Sequence, residues 1–220
     1  MVVLGSKALS AIKDKISKSI IFSMVVDSKY SAANVTGVSI DIPPKLKLSK
    51  LKEVLPQVNK IGIIYSNDFA PQYNDIVKVS KDLGLQVIGK EIPSAKEFAS
   101  ALGEIAGQID CFLMVLDSKI YIPQVTQYLL MESMKRKIAV IGLSANYTKA
   151  GAILSIDCDY NDVGRQVGEI VQRIVSGEKI GDIPVQYPRK VKYSLNLVVA
   201  EQLRIKFSQS AINEAEKVFK

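Results

Sequence analysis

Short apolar, β-branched runs alternate with amphipathic stretches along almost the whole chain, and few architectures accept that alternation. Candidate strands are Val2–Leu4, Ile20–Met24, Val35–Ser39, Ile61–Tyr65, Leu85–Glu91, Cys111–Leu116, Ile138–Ile141, Ala152–Ile156 and Tyr193–Leu197. Helical spacing of apolar residues fills Lys7–Lys15, Lys45–Leu55, Gln72–Leu83, Ala95–Ala106, Tyr121–Lys135 and Val163–Val175. From Ile61 to Ile138 the strands begin roughly 25 residues apart, the length of one βα unit. Runs such as Ile61-Gly62-Ile63-Ile64-Tyr65 are apolar on both faces, which suits a parallel sheet covered by helices on each side. The expected class is α/β with doubly wound parallel sheets.

Helix ends are marked. Gly84 and Gly177 read as residues just past a helix C-terminus, and Ser94 with Glu97 reads as a capping box. Gly181 to Arg189, with Pro184 and Pro188, reads as a connector.

Absent residues remove whole classes of chemistry. There is no histidine among the 220 residues, so Ser-His-Asp and Cys-His catalysis and His-ligated metals are excluded. The two cysteines, Cys111 and Cys158, form no Cys-x-x-Cys pair. Cys111 lies in an apolar run, and Cys158 stands between Asp157 and Asp159, whose charges would oppose a thiolate. No phosphate-binding glycine loop is present, and nothing asks for a cofactor or metal. The net charge of +7 is dispersed, and the densest patch, Lys45, Lys47, Lys50 and Lys52, rides on Leu48, Leu51 and Leu55 at helical spacing. That pattern is a solvated helix face, and no nucleic-acid partner is expected. No apolar run reaches the ~18 residues of a membrane span, and Met1–Lys7 does not read as a signal peptide.

In open α/β sheets, ligands bind where strands end at their carboxyl edges. The residues at those ends are Gly5-Ser6-Lys7, Asp27-Ser28, Ser66-Asn67-Asp68, Asp117-Ser118-Lys119 and Ser144-Ala145-Asn146-Tyr147. Each could be an ordinary N-cap. Together they suit a small polar or zwitterionic ligand, with acids for an ammonium and helix N-termini for a carboxylate.

Five ordered segments are more specific. Leu4-Gly5-Ser6-Lys7-Ala8, Asn34-Val35-Thr36-Gly37-Val38-Ser39, Leu51-Lys52-Glu53-Val54-Leu55-Pro56, Gly151-Ala152 through Asp159-Tyr160-Asn161-Asp162-Val163-Gly164-Arg165-Gln166, and Gly177-Glu178-Lys179-Ile180-Gly181-Asp182-Ile183-Pro184-Val185 lie in one register over essentially the whole chain. This set resembles the substrate-binding proteins of ABC transporters, in the branch with a type I periplasmic-binding-protein fold.

The resemblance implies a two-lobe clamp that binds a solute, often an amino acid, in an interlobe cleft outside the cytoplasmic membrane. It implies delivery to an inner-membrane ABC permease, and no enzymatic chemistry. Against the family pattern the first strand looks like the third, so the first lobe is expected to be truncated. The expected division is residues 1–58, residues 59–158, and a shared segment 159–220. Carried over by position, the ligand shell would hold Ser6 and Asp27 from the first lobe. From the second it would hold Ser66, Asn67, Asp68, Asp117, Ser118, Ser144, Asn146 and Tyr147. Asp117 would take an ammonium, Ser66 and Asn67 a carboxylate, and Tyr147 or Tyr30 an apolar side chain. The sequence departs from the family at Asp27-Ser28-Lys29, Ser31-Ala32-Ala33 and Leu116-Asp117-Ser118. A sensing module of the same fold, or a relative without ligand, therefore stays open; an enzyme using Asp68 and Asp117 has no motif behind it. An exposed edge at Val2–Leu4 would favour a homodimer through the first lobe.

Overall fold

Two sheets organise the protein, one parallel and one mixed. The computed structural model describes residues 1–26 and 32–220. By internal contacts the chain divides into a first unit, Met1–Pro43 with Cys158–Val191, and a second, Pro44–Asp157 with Lys192–Lys220. The backbone therefore passes between the units three times, near residues 43, 157 and 191.

The first unit carries β1 (Val2–Leu4), α1 (Ser6–Ile12), β2 (Ile20–Val25) and β3 (Val35–Ser39) in the order β1-β2-β3, all parallel. One apolar cluster gathers Val3, Leu9, Ile20, Phe22, Val25 and Val35. Another joins Ile21 and Val38 to Cys158, Val163, Val167 and Ile170, the last three from the long helix Tyr160–Val175. That helix starts on Asp159, whose carboxylate accepts the N–H groups of Asn161 and Asp162.

The second unit begins with α2 (Pro44–Val54), which differs from the division expected at residue 58. Leu48, Leu51, Val54 and Leu55 are buried, and α2 packs on α3 (Ala70–Asp82). Lys52 donates from Nζ to the carbonyls of Pro56 (2.9 Å) and Val58 (2.7 Å), pinning the link to the next strand. The lysine-rich stretch is an amphipathic helix, as its spacing predicts.

The remaining strands are β4 (Lys60–Tyr65), β5 (Gln86–Glu91), β6 (Cys111–Leu113), β7 (Ala139–Gly142), β8 (Leu154–Cys158), β9 (Val191–Asn196) and β10 (Lys217–Phe219). They lie in the order β10-β9-β8-β7-β6-β4-β5. Between them come α4 (Phe98–Ile105), α5 (Pro123–Arg136) and α6 (Ala145–Ala150), then α7, which is Tyr160–Val175, α8 (Leu197–Leu203) and α9 (Gln209–Glu214). Short α6, α8 and α9, of six or seven residues, and the three-residue strand β10 escape the sequence reading, because segments this short carry too little periodicity to register. β6 stops at Leu113, shorter than the apolar run through Leu116, although Met114 and Val115 remain buried. The Asp117 N–H turns back to the carbonyl of Val115 at 2.9 Å, which bends the segment off the ladder. No helix of the described residues is long and apolar enough to cross a membrane.

The motif residues hold the first unit together. The Asn34 amide donates to the carbonyls of Ile16 (2.8 Å) and Lys18 (3.3 Å), and the Thr36 hydroxyl to that of Ile183 (2.8 Å). Arg189, in the connector, binds Asp162 and Glu169 through four N–H···O bonds of 3.0–3.3 Å. The Arg189 hydrogen bonds, with Lys190 and Arg165 nearby, hold the buried Asp162 carboxyl below its ordinary range. A carboxylate depressed in the folded state stabilises fully above its unfolded pKa of about 3.9 and loses that contribution as pH falls. Acid titration of the thermal midpoint is therefore expected to show a steep fall below about pH 4 that flattens in Asp162→Asn. An unchanged acid limb in the variant would remove this pair from the account.

Candidate functional site

In the second unit, β4 lies between β5 and β6, so the connection after β4 runs to β5 on one side and the connection after β6 to β7 on the other. This reversal opens a crevice at the carboxyl ends of β4 and β6, the place where such sheets bind ligands. Ser66 and Asp117 stand there. Ser66 follows β4 and is fully buried; Asp117 follows the apolar run after β6 and is 6% exposed. The Ser66 N–H donates to Asp117 Oδ2 at 2.7 Å, and the Lys119 N–H donates to Oδ1 at 3.1 Å. One carboxylate thus ties together the loops on both sides of the crevice. A carboxylate has about four lone-pair sites, so two backbone bonds leave room for a further donor.

The Ser66 hydroxyl is buried and has no hydrogen-bond partner among the described residues. An unpaired buried hydroxyl costs roughly 1–3 kcal/mol, which a ligand acceptor or donor would recover. Asn67 and Asp68, in the turn that leads into α3, are exposed. Asn67 reaches Glu91 at 3.4 Å, and Asp68 pairs with Lys119 at 3.7 Å. Ser118 is exposed beside them.

A second group forms between α5 and α6. Asn146 and Tyr147 line a groove of about 700 Å³ with Tyr121, Pro123, Leu130, Met131 and Met134. Ser144 precedes α6 without a side-chain capping bond. The wall is held from below: the buried Thr148 hydroxyl meets Ser155 and Ser194 at 2.7 Å each, and the Asn196 amide donates to the Thr148 carbonyl at 2.9 Å. Tyr121 joins the two groups. Its hydroxyl donates to the carbonyl of Ile64 (2.8 Å), and its N–H to that of Asp117 (2.9 Å). Burial and the Asp117 charge push the Tyr121 phenol well above its ordinary pKa, so it stays a neutral donor.

The structure therefore brings Ser66, Asn67, Asp68, Asp117 and Ser118 to one crevice and Asn146 and Tyr147 to an adjoining groove. Ser6 belongs to the first unit, half-buried at the start of α1, after Gly5 at φ 88°. Asp27 and Tyr30 lie outside the described residues. Sequence reading passed over Tyr121, whose signal was its place four residues after Asp117 at a helix start. The thiols are not candidates: both cysteines are buried, and burial raises the Cys111 pKa strongly. Among the described residues no group of three acidic or cysteine side chains could hold a metal ion.

The family model described as ABC transporter substrate binding protein matches residues 8–219. The chain belongs to this family. Its members are binding proteins that act outside the cytoplasm, not enzymes. A tyrosine-binding protein of Clostridioides difficile (strain R20291) is 25% identical over 188 residues, covering 80% of this chain and 50% of that protein. The chain thus spans half the length of this curated relative. Among solved structures, a Streptococcus pneumonia domain in complex with L-Trp superposes with a TM-score of 0.74 at 22% identity, over 99% of this chain and 78% of that one. A ligand-free, open substrate-binding protein with adhesive properties from Clostridium difficile gives 0.77 at 18% identity, over 100% and 77%. At these identities the solved structures bear on the fold, which is that of two-lobe periplasmic binding proteins.

Proposed function

We propose that the chain binds a small zwitterion, an amino acid with an aromatic or other apolar side chain, at the carboxyl edges of its strands. The observation that carries this reading is the Asp117–Ser66 junction: a buried carboxylate with spare acceptor capacity beside a buried hydroxyl with no partner among the described residues. In this reading Asp117 accepts from the ligand ammonium, a charge-assisted bond. Ser66 and Asn67 bind the carboxylate, and Tyr147 meets the apolar side chain. Asp68, Ser118, Ser144 and Asn146 complete the shell in the second unit. The relatives named for tyrosine and bound to L-Trp support the ligand class. Family membership supports delivery of the solute to an ABC permease in the cytoplasmic membrane. Native mass spectrometry of the freshly purified chain, followed by a thermal-shift screen of the proteinogenic amino acids, tests the reading. A co-purifying amino-acid mass and a midpoint raised by one group of amino acids are expected; no bound mass and no shift would refute it.

The first unit adds an association surface to this reading. β1 pairs with β2 alone among the described residues, and its Val2 and Leu4 are 48% and 66% exposed. Such an edge is a template for strand pairing, and a two-fold dimer satisfies both copies at once. Size exclusion with light scattering at tens of micromolar is expected to give the mass of a dimer, shifted towards monomer by Leu4→Lys. A wild-type monomer at that concentration would refute the pairing.

A further inference from the structure

We propose that Tyr121 is a positioning residue of this site: its side chain spans a split in the second sheet and holds Asp117 against Ser66 at the spacing a ligand needs. This rests on the amino-acid reading above and lies wholly within the second unit.

The split shows in the register of β4. On the β6 side the Lys60 carbonyl accepts the Asp110 N–H at 2.9 Å, and Gly62 pairs with Phe112. Backbone groups of a strand face the same neighbour at every second residue, so the next rung would take the Met114 N–H to the Ile64 carbonyl. That N–H goes instead to the Ile141 carbonyl of β7, at 3.0 Å. The chain thus leaves β4 at Met114, and the pairing of β4 with β6 ends at Gly62.

Two side chains supply the missing rungs. The Tyr121 hydroxyl donates to the Ile64 carbonyl at 2.8 Å, and the Asp117 carboxylate accepts the Ser66 N–H at 2.7 Å. Ile64 and Ser66 are the next two residues on that side of β4. The two stitches are joined, since the Tyr121 N–H donates to the Asp117 carbonyl at 2.9 Å. A rigid ring therefore runs from the backbone beside Asp117 to β4, two residues before Ser66. The ring is fixed in turn, edge-on against the buried Phe98 with centroids 6.0 Å apart and 73° between the planes. A continued strand would close this gap at the usual spacing of about 4.8 Å and leave no room for a ligand. The tyrosine keeps it open at a set width. The Asp117 carboxylate stands on one wall, and on the other the buried Ser66 hydroxyl, which has no partner among the described residues.

Tyr121→Phe removes the hydroxyl and keeps the ring. Tyr193→Phe is the matched control: its hydroxyl also donates to a backbone carbonyl in the second unit, that of Ala211, at 2.8 Å. Each variant is expected to lose about 2–4 °C in thermal midpoint, the effect of one hydrogen bond in a chain of this size. Only Tyr121→Phe is expected to bind L-tyrosine or L-tryptophan about 3- to 10-fold more weakly in calorimetric titration. Only Tyr121→Phe is expected to move the Ser66 amide proton resonance of the ligand-free chain upfield, as its short bond to a charged oxygen lengthens. The proposal is overturned by a Ser66 resonance unmoved in Tyr121→Phe, by a wild-type Kd in that variant, or by equal weakening in both variants. A wild-type chain that binds neither amino acid refutes the amino-acid reading instead, and the Ser66 resonance, read without ligand, still decides the role of Tyr121.

Discussion

Asp117→Ala is expected to lose ligand and stability together. Its carboxylate is nearly buried and accepts the Ser66 N–H at 2.7 Å and the Lys119 N–H at 3.1 Å. Hydrogen bonds to a charged group contribute about 1.5–3 kcal/mol, and removing the acceptor leaves the Ser66 amide buried without a partner. A loss of about 3 kcal/mol in urea unfolding is expected, with the fold retained. Affinity for an amino acid is expected to fall by about one to two decades, because the ammonium loses its counter-charge as the Ser66 loop loses its anchor. Asp117→Asn separates the two roles. Its amide oxygen can still accept one backbone N–H, so stability recovers partly, while the charge needed by an ammonium is gone. A wild-type midpoint and Kd in Asp117→Ala would mean that the carboxylate neither anchors the crevice nor touches the ligand.

The second large effect is expected at Gly37→Ala. Gly37 pairs with Phe22 across β2 and β3. A Cβ there would sit 2.6 Å from the Phe22 ring and inside contact distance of the Phe22 carbonyl oxygen. Phe22 is fully buried among Val3, Leu9 and Val35, so its ring has nowhere to move, and backbone cannot yield cheaply. Overpacking of this kind costs about 3 kcal/mol or more, which is about 6–12 °C in a domain of this size. Gly103→Ala, an open helical position, is the matched control and is expected to be neutral or slightly stabilising. Thermal unfolding by circular dichroism decides between them; equal midpoints for the two variants would contradict the packing argument.

Gly37 also explains why the fold was legible in the sequence. In Asn34-Val35-Thr36-Gly37, the first residue ties down the approach to β2, the second enters the core and the third holds the connector. The fourth makes room for a ring. Asp162 and Gln166, in another of the quoted segments, bind Arg189 and the Tyr187 carbonyl. Those motifs encode packing and hydrogen bonding in the first unit, and packing leaves a strong imprint on sequence. The strand-end loops carry a weaker one. Ser, Asn and Asp look the same in sequence whether they cap a helix or face a ligand. Only the sheet order shows that Ser66 and Asp117, 51 residues apart, share a crevice. The register shift in β2, where Ser23 and Met24 together face Val38 alone, had no signal either, because nothing in Ile20–Val25 marks an extra residue before the partner strand is known.

Titration calorimetry of the purified chain with L-tyrosine and L-tryptophan, run beside Asp117→Asn, tests the central claim most directly. The account predicts saturable binding of at least one of the two at one site per chain, and its loss or a weakening of at least about 10-fold in the variant. No saturable heat from either amino acid in the wild type, or equal affinity in Asp117→Asn, would contradict it.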